Sequence, residues 1–185
     1  MGSHVVNWST FDGGFDIDDP TNTFTVSELI EGTGSLTKHG AGTLVSSAAN
    51  TYSGGTTIEQ GTLRTTADNV IPAGQFFLRD GTLDLSDHFE RVGPGAVNQT
   101  GLILGGVAGA TPEILLGDGG DFSVSTLGTF IQYDATSNPG TATITGGGSS
   151  VLSLATSSIS RDFDIGDSTA TDEELIVDEI GRAHV

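Results

Sequence analysis

The chain has 185 residues and 18.9 kDa, with 24 acidic against 6 basic side chains and a formal net charge of −18. That charge repels a phosphate backbone and an anionic bilayer alike, which excludes nucleic-acid and lipid-surface binding. Cysteine is absent, so disulfides, zinc–thiolate sites and thiol chemistry are excluded too.

In chain order, Met1-Gly2-Ser3-His4-Val5-Val6-Asn7-Trp8 has neither a basic segment nor an apolar core, so no signal peptide is legible there. Met1–His4 reads as an internal start rather than a tag remnant. Phe15-Asp16-Ile17 opens an acidic, threonine-containing loop that leads to Val26-Ser27-Glu28-Leu29. The tripeptide Gly-Thr-Leu then recurs at Gly42, Gly61 and Gly81, spaced by 19 and 20 residues. A near-constant period of that size is one turn of a β-solenoid. Around the third copy, Leu83 and Leu85 point one way while Thr82, Asp84 and Ser86 point the other, which is strand periodicity. Leu44, Leu63, Leu83 and Leu85 are therefore expected to stack in one buried column.

Thr56-Thr57-Ile58 and Thr141-Ala142-Thr143-Ile144-Thr145 read as further strands. Turn formers separate them at Ser53-Gly54-Gly55, Asn69, Pro72-Ala73-Gly74, Gly93-Pro94-Gly95, Asn138-Pro139-Gly140 and Gly146-Gly147-Gly148. The apolar stretch Leu102 to Ala110 is far too short to span a membrane. No window has a helical period; Asp172-Glu173-Glu174 could form one turn, but Leu175-Ile176-Val177 reads as a strand. Phe163-Asp164-Ile165 and Val177-Asp178-Glu179-Ile180 echo the start of the chain, at offsets of 148 and 151 residues.

The segment from Gly32-Thr33-Gly34-Ser35-Leu36-Thr37-Lys38-His39-Gly40-Ala41-Gly42-Thr43-Leu44 continues through Asn50-Thr51-Tyr52-Ser53-Gly54-Gly55-Thr56-Thr57-Ile58 to Gly61-Thr62-Leu63. It closely resembles the autotransporter-associated β-strand repeat, also called the passenger-associated transport repeat. The resemblance is strong over residues 23–65. It departs at Ser46-Ser47-Ala48, where the family usually has Leu-Ser-Gly, exchanging an apolar inward position for a small polar one. The resemblance implies an all-β fold, a right-handed parallel β-helix with rungs of about 20 residues, in a secreted or surface-displayed bacterial protein. There the repeat would assist export and folding of the passenger at the outer membrane.

Sites of chemistry are sparse. Asp16 with Asp18, and Asp162 with Asp164, would share a face of an extended strand, as outward carboxylates of β-helix glycosidases do. Their plain reading is solvated loop acids. Gly117-Asp118-Gly119-Gly120-Asp121-Phe122 is similar to one calcium-binding glycine- and aspartate-rich nonapeptide. That site needs stacked copies, so a tight turn is the reading here. His4, His39, His88 and His184 are isolated, and no hydrolase serine or phosphate-loop motif occurs. Thr141–Thr145 could begin an ice-binding threonine ladder, but its pattern does not recur nearby. No catalytic, cofactor-binding or metal residue is nominated, and no cofactor is expected.

Residues 1–179 are read as a single β-helix fragment. Residues 180–185, Ile-Gly-Arg-Ala-His-Val, are read as a non-native tail, because they match the translation of a common sequencing adapter. The expected function is structural: a stalk or passenger segment, extracellular or at the cell surface, that supports export, display and adhesion to surface glycans or proteins. It would not itself span a membrane; a barrel or surface anchor would lie elsewhere in its parent. The alternative is a carbohydrate-active β-helix enzyme using surface aspartates, and a groove bringing acids and an aromatic ring together would favour it.

Overall fold

The computed structural model describes residues 7–93, 100–124, 129–137, 139–154, 162–165, 175–178 and 182–184. Met1–His4, Pro94-Gly95, Asn138, Asp172–Glu174, Glu179, Ile180, Gly181 and Val185 lie outside the described residues. So does His4 as a candidate ligand.

Among the described residues there is no α-helix, only a 3-10 turn at Trp8–Thr10 and eighteen short strands. They wind into seven turns. The first three turns have two strands each: β1 (Gly13–Asp16) and β2 (Thr23–Val26), β3 (Leu36–His39) and β4 (Thr43–Ser46), β5 (Thr56–Ile58) and β6 (Thr62–Thr65). The later turns have three. They are β7 (Phe76–Leu78), β8 (Thr82–Asp84) and β9 (Phe89–Val92), then β10 (Leu102–Gly105), β11 (Glu113–Leu115) and β12 (Asp121–Val124). β13 (Thr129–Asp134), β14 (Ala142–Thr145) and β15 (Val151–Leu154) follow, and β16 (Asp162–Ile165), β17 (Leu175–Asp178) and β18 (Arg182–His184) complete the coil.

Equivalent strands pair in parallel to make three sheets. The first runs β1-β3-β5-β7-β10-β13-β16, the second β2-β4-β6-β8-β11-β14-β17, and the third β9-β12-β15-β18. This is the parallel β-solenoid that the Gly-Thr-Leu period implies. The period of 19 or 20 residues holds from Phe24 through Leu44 and Leu63 to Leu83. Beyond Leu83 the partner is Ile114 and then Ile144, so each turn grows to about thirty residues. The added length is the third strand and its loops. In the first turns that third side has no strand, but its backbone still bonds from turn to turn, as in Thr51 N to Ile30 O (2.9 Å) and Ser53 N to Gly32 O (3.1 Å).

Register turns sequence alternation into columns. Leu44, Leu63, Leu83, Ile114 and Ile144 sit one above another on the inner face of the second sheet, all buried. Leu85 is also buried, but it occupies the neighbouring column beside Thr65 rather than the column of Leu83. Two residues along one strand are about 6.5 Å apart and cannot share a column that runs across strands. The terminal echo is likewise shifted by two: following register up the first sheet from Phe15 leads to Ile165, not Phe163.

The glycines of the repeated tripeptide make the corner before β4, β6 and β8 of the second sheet. Gly61 (φ +72°) and Gly81 (φ +119°) adopt backbone angles that other residues rarely reach. A Cβ on Gly61 would also press into the Gly40 carbonyl oxygen, and one on Gly81 into that of Gly61. Stacked corners thus exclude side chains twice over. Gly81→Ala is expected to cost about 2 kcal/mol or more, and Leu83→Ala about 2–5 kcal/mol. Gly119→Ala, where a Cβ meets nothing within 4 Å, should stay within about 0.5 kcal/mol of the parent. Urea unfolding of the three variants measures the order.

Candidate functional site

Three large polar side chains of the repeat segment, Lys38, Asn50 and Tyr52, face into the coil rather than out to a partner, along with the smaller Ser46 and Thr56. On β3 the alternation turns Leu36 and Lys38 inward, and Lys38 is fully buried. Its stem lies between Phe15 and Ile58 in register, and its ammonium donates to the carbonyls of His39 (2.5 Å), Gly40 (2.6 Å) and Gln60 (3.2 Å). Three N–H donors meet three corner carbonyls. Burial pulls this ammonium below the ordinary lysine range, with the charge of Asp16 opposing that fall.

Asn50 works the next corner. Its Oδ1 accepts from Ile30 N (2.9 Å) in the turn before, and its Nδ2 donates to Val70 O (2.9 Å) in the turn after. The same Nδ2 reaches Ser46 Oγ (3.3 Å). Ser46, the residue that departs from the repeat pattern, is buried and so has a polar partner of its own. Tyr52 lies buried with its hydroxyl 2.7 Å from Thr56 Oγ1, and burial raises its pKa.

Glu90 on β9 continues this row. Its carboxylate accepts from Val70 N and Ile71 N, each at 3.0 Å, and the residue is fully buried. Burial pushes its pKa from 4.5 up to about 7, against the lowering effect of those amides and of Thr65. Sequence reasoning missed Glu90. The available signal was the period itself, since steps of 20 residues from Ile30 pass through Asn50 and Val70 to Glu90.

The candidate acids separate. Asp16 and Asp18 lie at β1 and just beyond it, while Asp162 and Asp164 lie on β16, the opposite edge of the same seven-stranded sheet. Six interstrand steps, roughly 29 Å, part the two pairs. By register Asp16 faces His39 of the next turn, and Asp164 faces Gln132. At the β1–β2 end, Asp16, Asp18 and Asp19 do share a cavity of about 570 Å³ with Phe15, Ile17 and Phe24. Phe24 is 47% exposed there, and the ring stack Trp8–Phe11–Phe15 runs alongside. Asp19 is held below the ordinary carboxylate range by the Thr21 hydroxyl and amide, the opposite of what a general acid needs.

In the calcium candidate, Asp118 lines a second cavity of about 510 Å³ with Asp84 and Asp87. Those acids already have partners: Asp87 Oδ1 accepts from the Asp118 and Gly119 amides, and Asp84 pairs with Arg64 at 2.7 Å. No group of three metal-ligating side chains occurs among the described residues. His39 is exposed and His88 lies 3.4 Å from Asp68. Thr143 has Glu113 and Ile176 as column neighbours, so its row does not continue. A threonine column that sequence reasoning passed over does exist, Thr23–Thr43–Thr62–Thr82. The row beside it holds Val45, Arg64 and Asp84, which rules out a flat threonine face.

The inward polar groups have a measurable value. Lys38→Met keeps the stem but strands three carbonyls, and Asn50→Ala removes bonds to two other turns; each should cost about 1–3 kcal/mol for every polar group left unsatisfied. Tyr52→Phe should cost about 1 kcal/mol. Equilibrium denaturation checks all three, and near-neutral Lys38→Met and Asn50→Ala would refute a clamping role.

Residues 36–64 match the passenger-associated-transport-repeat family. The chain is also 32% identical, over an alignment of 177 residues, to the adhesin BmaC autotransporter of Brucella suis biovar 1 (strain 1330). That alignment takes in 81% of this chain and 5% of the adhesin, so the chain spans about a twentieth of the length of that curated relative. No solved structure matches. Residues 36–64 thus form a passenger-associated transport repeat within a parallel β-solenoid, with Lys38, Asn50 and Tyr52 at its motif positions and Lys38 and Asn50 bonded to neighbouring turns.

Proposed function

We propose that this chain is a structural segment of an autotransporter passenger, extracellular or at the bacterial cell surface, that extends and presents adhesive parts of a longer protein. One observation carries the reading: Lys38 and Asn50 of the matched repeat are buried and bonded to the backbone of neighbouring turns inside the coil. They are spent on joining turns, not on a substrate. A coil joined this way can grow one turn at a time, because each new turn finds its ladder and clamps already in place. That suits a chain that folds as it emerges from a membrane. Absence of cysteine suits it as well, since no crosslink can obstruct threading. The −18 charge keeps displayed coils apart and soluble. The role is non-enzymatic, and the adhesive partners would be surface glycans or proteins.

A second reading has one observation behind it, the cavity where Asp16, Asp18 and Asp19 meet Phe15 and Phe24. It would make the chain a polysaccharide-cleaving enzyme.

The test joins the chain between an export signal and an outer-membrane barrel and probes intact cells with added protease. The expected outcome is surface exposure with a protease-resistant core, and reduced resistance in Lys38→Met and Asn50→Ala. Retention inside the cell while the barrel inserts would defeat the display reading. Polysaccharide cleavage by the purified chain, lost in Asp16→Asn with Asp18→Asn, would establish the enzyme instead.

A further inference from the structure

Glu90 is a buried carboxyl bonded to the turn below, and it lies where the coil changes its construction. Below it, the third side of the coil is irregular backbone; from β9 upward it is a regular parallel sheet. The carboxyl group sits between these two regions, with one oxygen on Val70 N and the other on Ile71 N. In the turn below, the equivalent corner is bridged by the neutral amide of Asn50. A neutral side chain and an ionisable one thus do the same job on successive levels. Only the second can respond to pH.

We propose that closing the third side of this coil is coupled to uptake of one proton by Glu90, so that the fold is firmer in mildly acidic medium than at neutral or alkaline pH. Among the described residues, the groups bonded to its carboxyl are the two backbone amides, not cations. Asp68, in the loop below, carries a negative charge that acts on Glu90, and its carboxylate is itself bonded to Phe89 N (2.9 Å) and near His88 Nδ1 (3.4 Å). Tyr52 is buried and feels Glu90 in turn. On β12, Phe122 is in register with Glu90, and Asp121 stands opposite Phe89. Arg91, next along β9, has its side chain on the exposed face.

The direction follows from the two states. The unfolded carboxyl titrates near its ordinary 4.5 and the folded one near 7. Between those values the folded chain holds a proton that the unfolded chain has lost. Stability is therefore undiminished below the lower value, falls as pH rises between the two, and levels off above the upper one. The folding equilibrium constant should fall by about tenfold per pH unit inside that window from this group alone.

Urea unfolding from pH 4.5 to 8.5, on the parent and on Glu90→Gln, isolates the effect from the other acids. The Gln variant keeps its charge state throughout. Its stability relative to the parent should rise by about tenfold in equilibrium constant per pH unit across the window, then stay constant above pH 7. Parallel profiles for the two proteins would overturn the proposal. Should Glu90→Gln fail to fold, carbon-13 titration of the glutamate carboxyls in the parent decides. One resonance with a midpoint near 7 that is tied to the Val70 and Ile71 amides supports the coupling, whereas all glutamates titrating in the ordinary range overturns it.

Discussion

Everything in this coil depends on parallel pairing between successive turns at a spacing of about 4.8 Å. That spacing stacks like positions over like, so whatever happens at one level is imposed on its neighbours. An inward leucine must find an apolar residue above and below, as Leu63 does between Leu44 and Leu83. A corner must fit under the next corner, which is why Gly61 and Gly81 have no room for a Cβ. An inward polar group cannot reach water and must spend its bonds on adjacent turns, as Lys38, Asn50 and Glu90 do. Apolar burial supplies most of the stabilisation, at about 1.5–3 kcal/mol for each fully buried aliphatic or phenyl side chain. Polar clamps decide the register.

The same constraint explains what sequence reasoning reached. A glycine corner followed by an outward threonine and an inward leucine repeats because stacking demands it, so the tripeptide announces both strand and period. The buried column of Leu44, Leu63 and Leu83 was legible for that reason, as was the resemblance to the transport repeat. The third sheet was not. Phe89–Val92, Asp121–Val124 and Val151–Leu154 share alternation but no tripeptide, and their turns are lengthened by loops of unequal size. A period that drifts from about twenty to about thirty residues leaves no fixed spacing to find.

Site residues were harder still. Lys38, Asn50 and Tyr52 were visible as motif letters, yet nothing in a list of letters says that a lysine ammonium turns back onto backbone carbonyls. Glu90 reads in sequence as one more acid on a strongly acidic chain. Its depth becomes evident only when the column of Ile30, Asn50 and Val70 is followed upward. Grouping of Asp16, Asp18 and Asp19 with Phe15 and Phe24 depends on the end of a coil leaving inward rings uncovered, a three-dimensional fact that alternation along one strand does not reveal.

The distribution of clamps also bears on how the coil assembles. Its 20-residue turns carry Lys38 at the corner after β3 and Asn50 and Tyr52 on the third side, where side chains add to backbone bonds such as Thr51 N to Ile30 O. Longer turns add a third backbone ladder, β9-β12-β15-β18, and Glu90 of β9 still bonds back to the turn below. Backbone ladders fit almost any sequence, whereas side-chain clamps need particular residues at particular levels. Recognisable repeat motifs should therefore concentrate in short turns and fade in long ones, and in this chain the matched segment, residues 36–64, lies wholly within the short turns. In this chain the matched repeat lies where buried side chains supplement the backbone bonds on a side that has no third sheet.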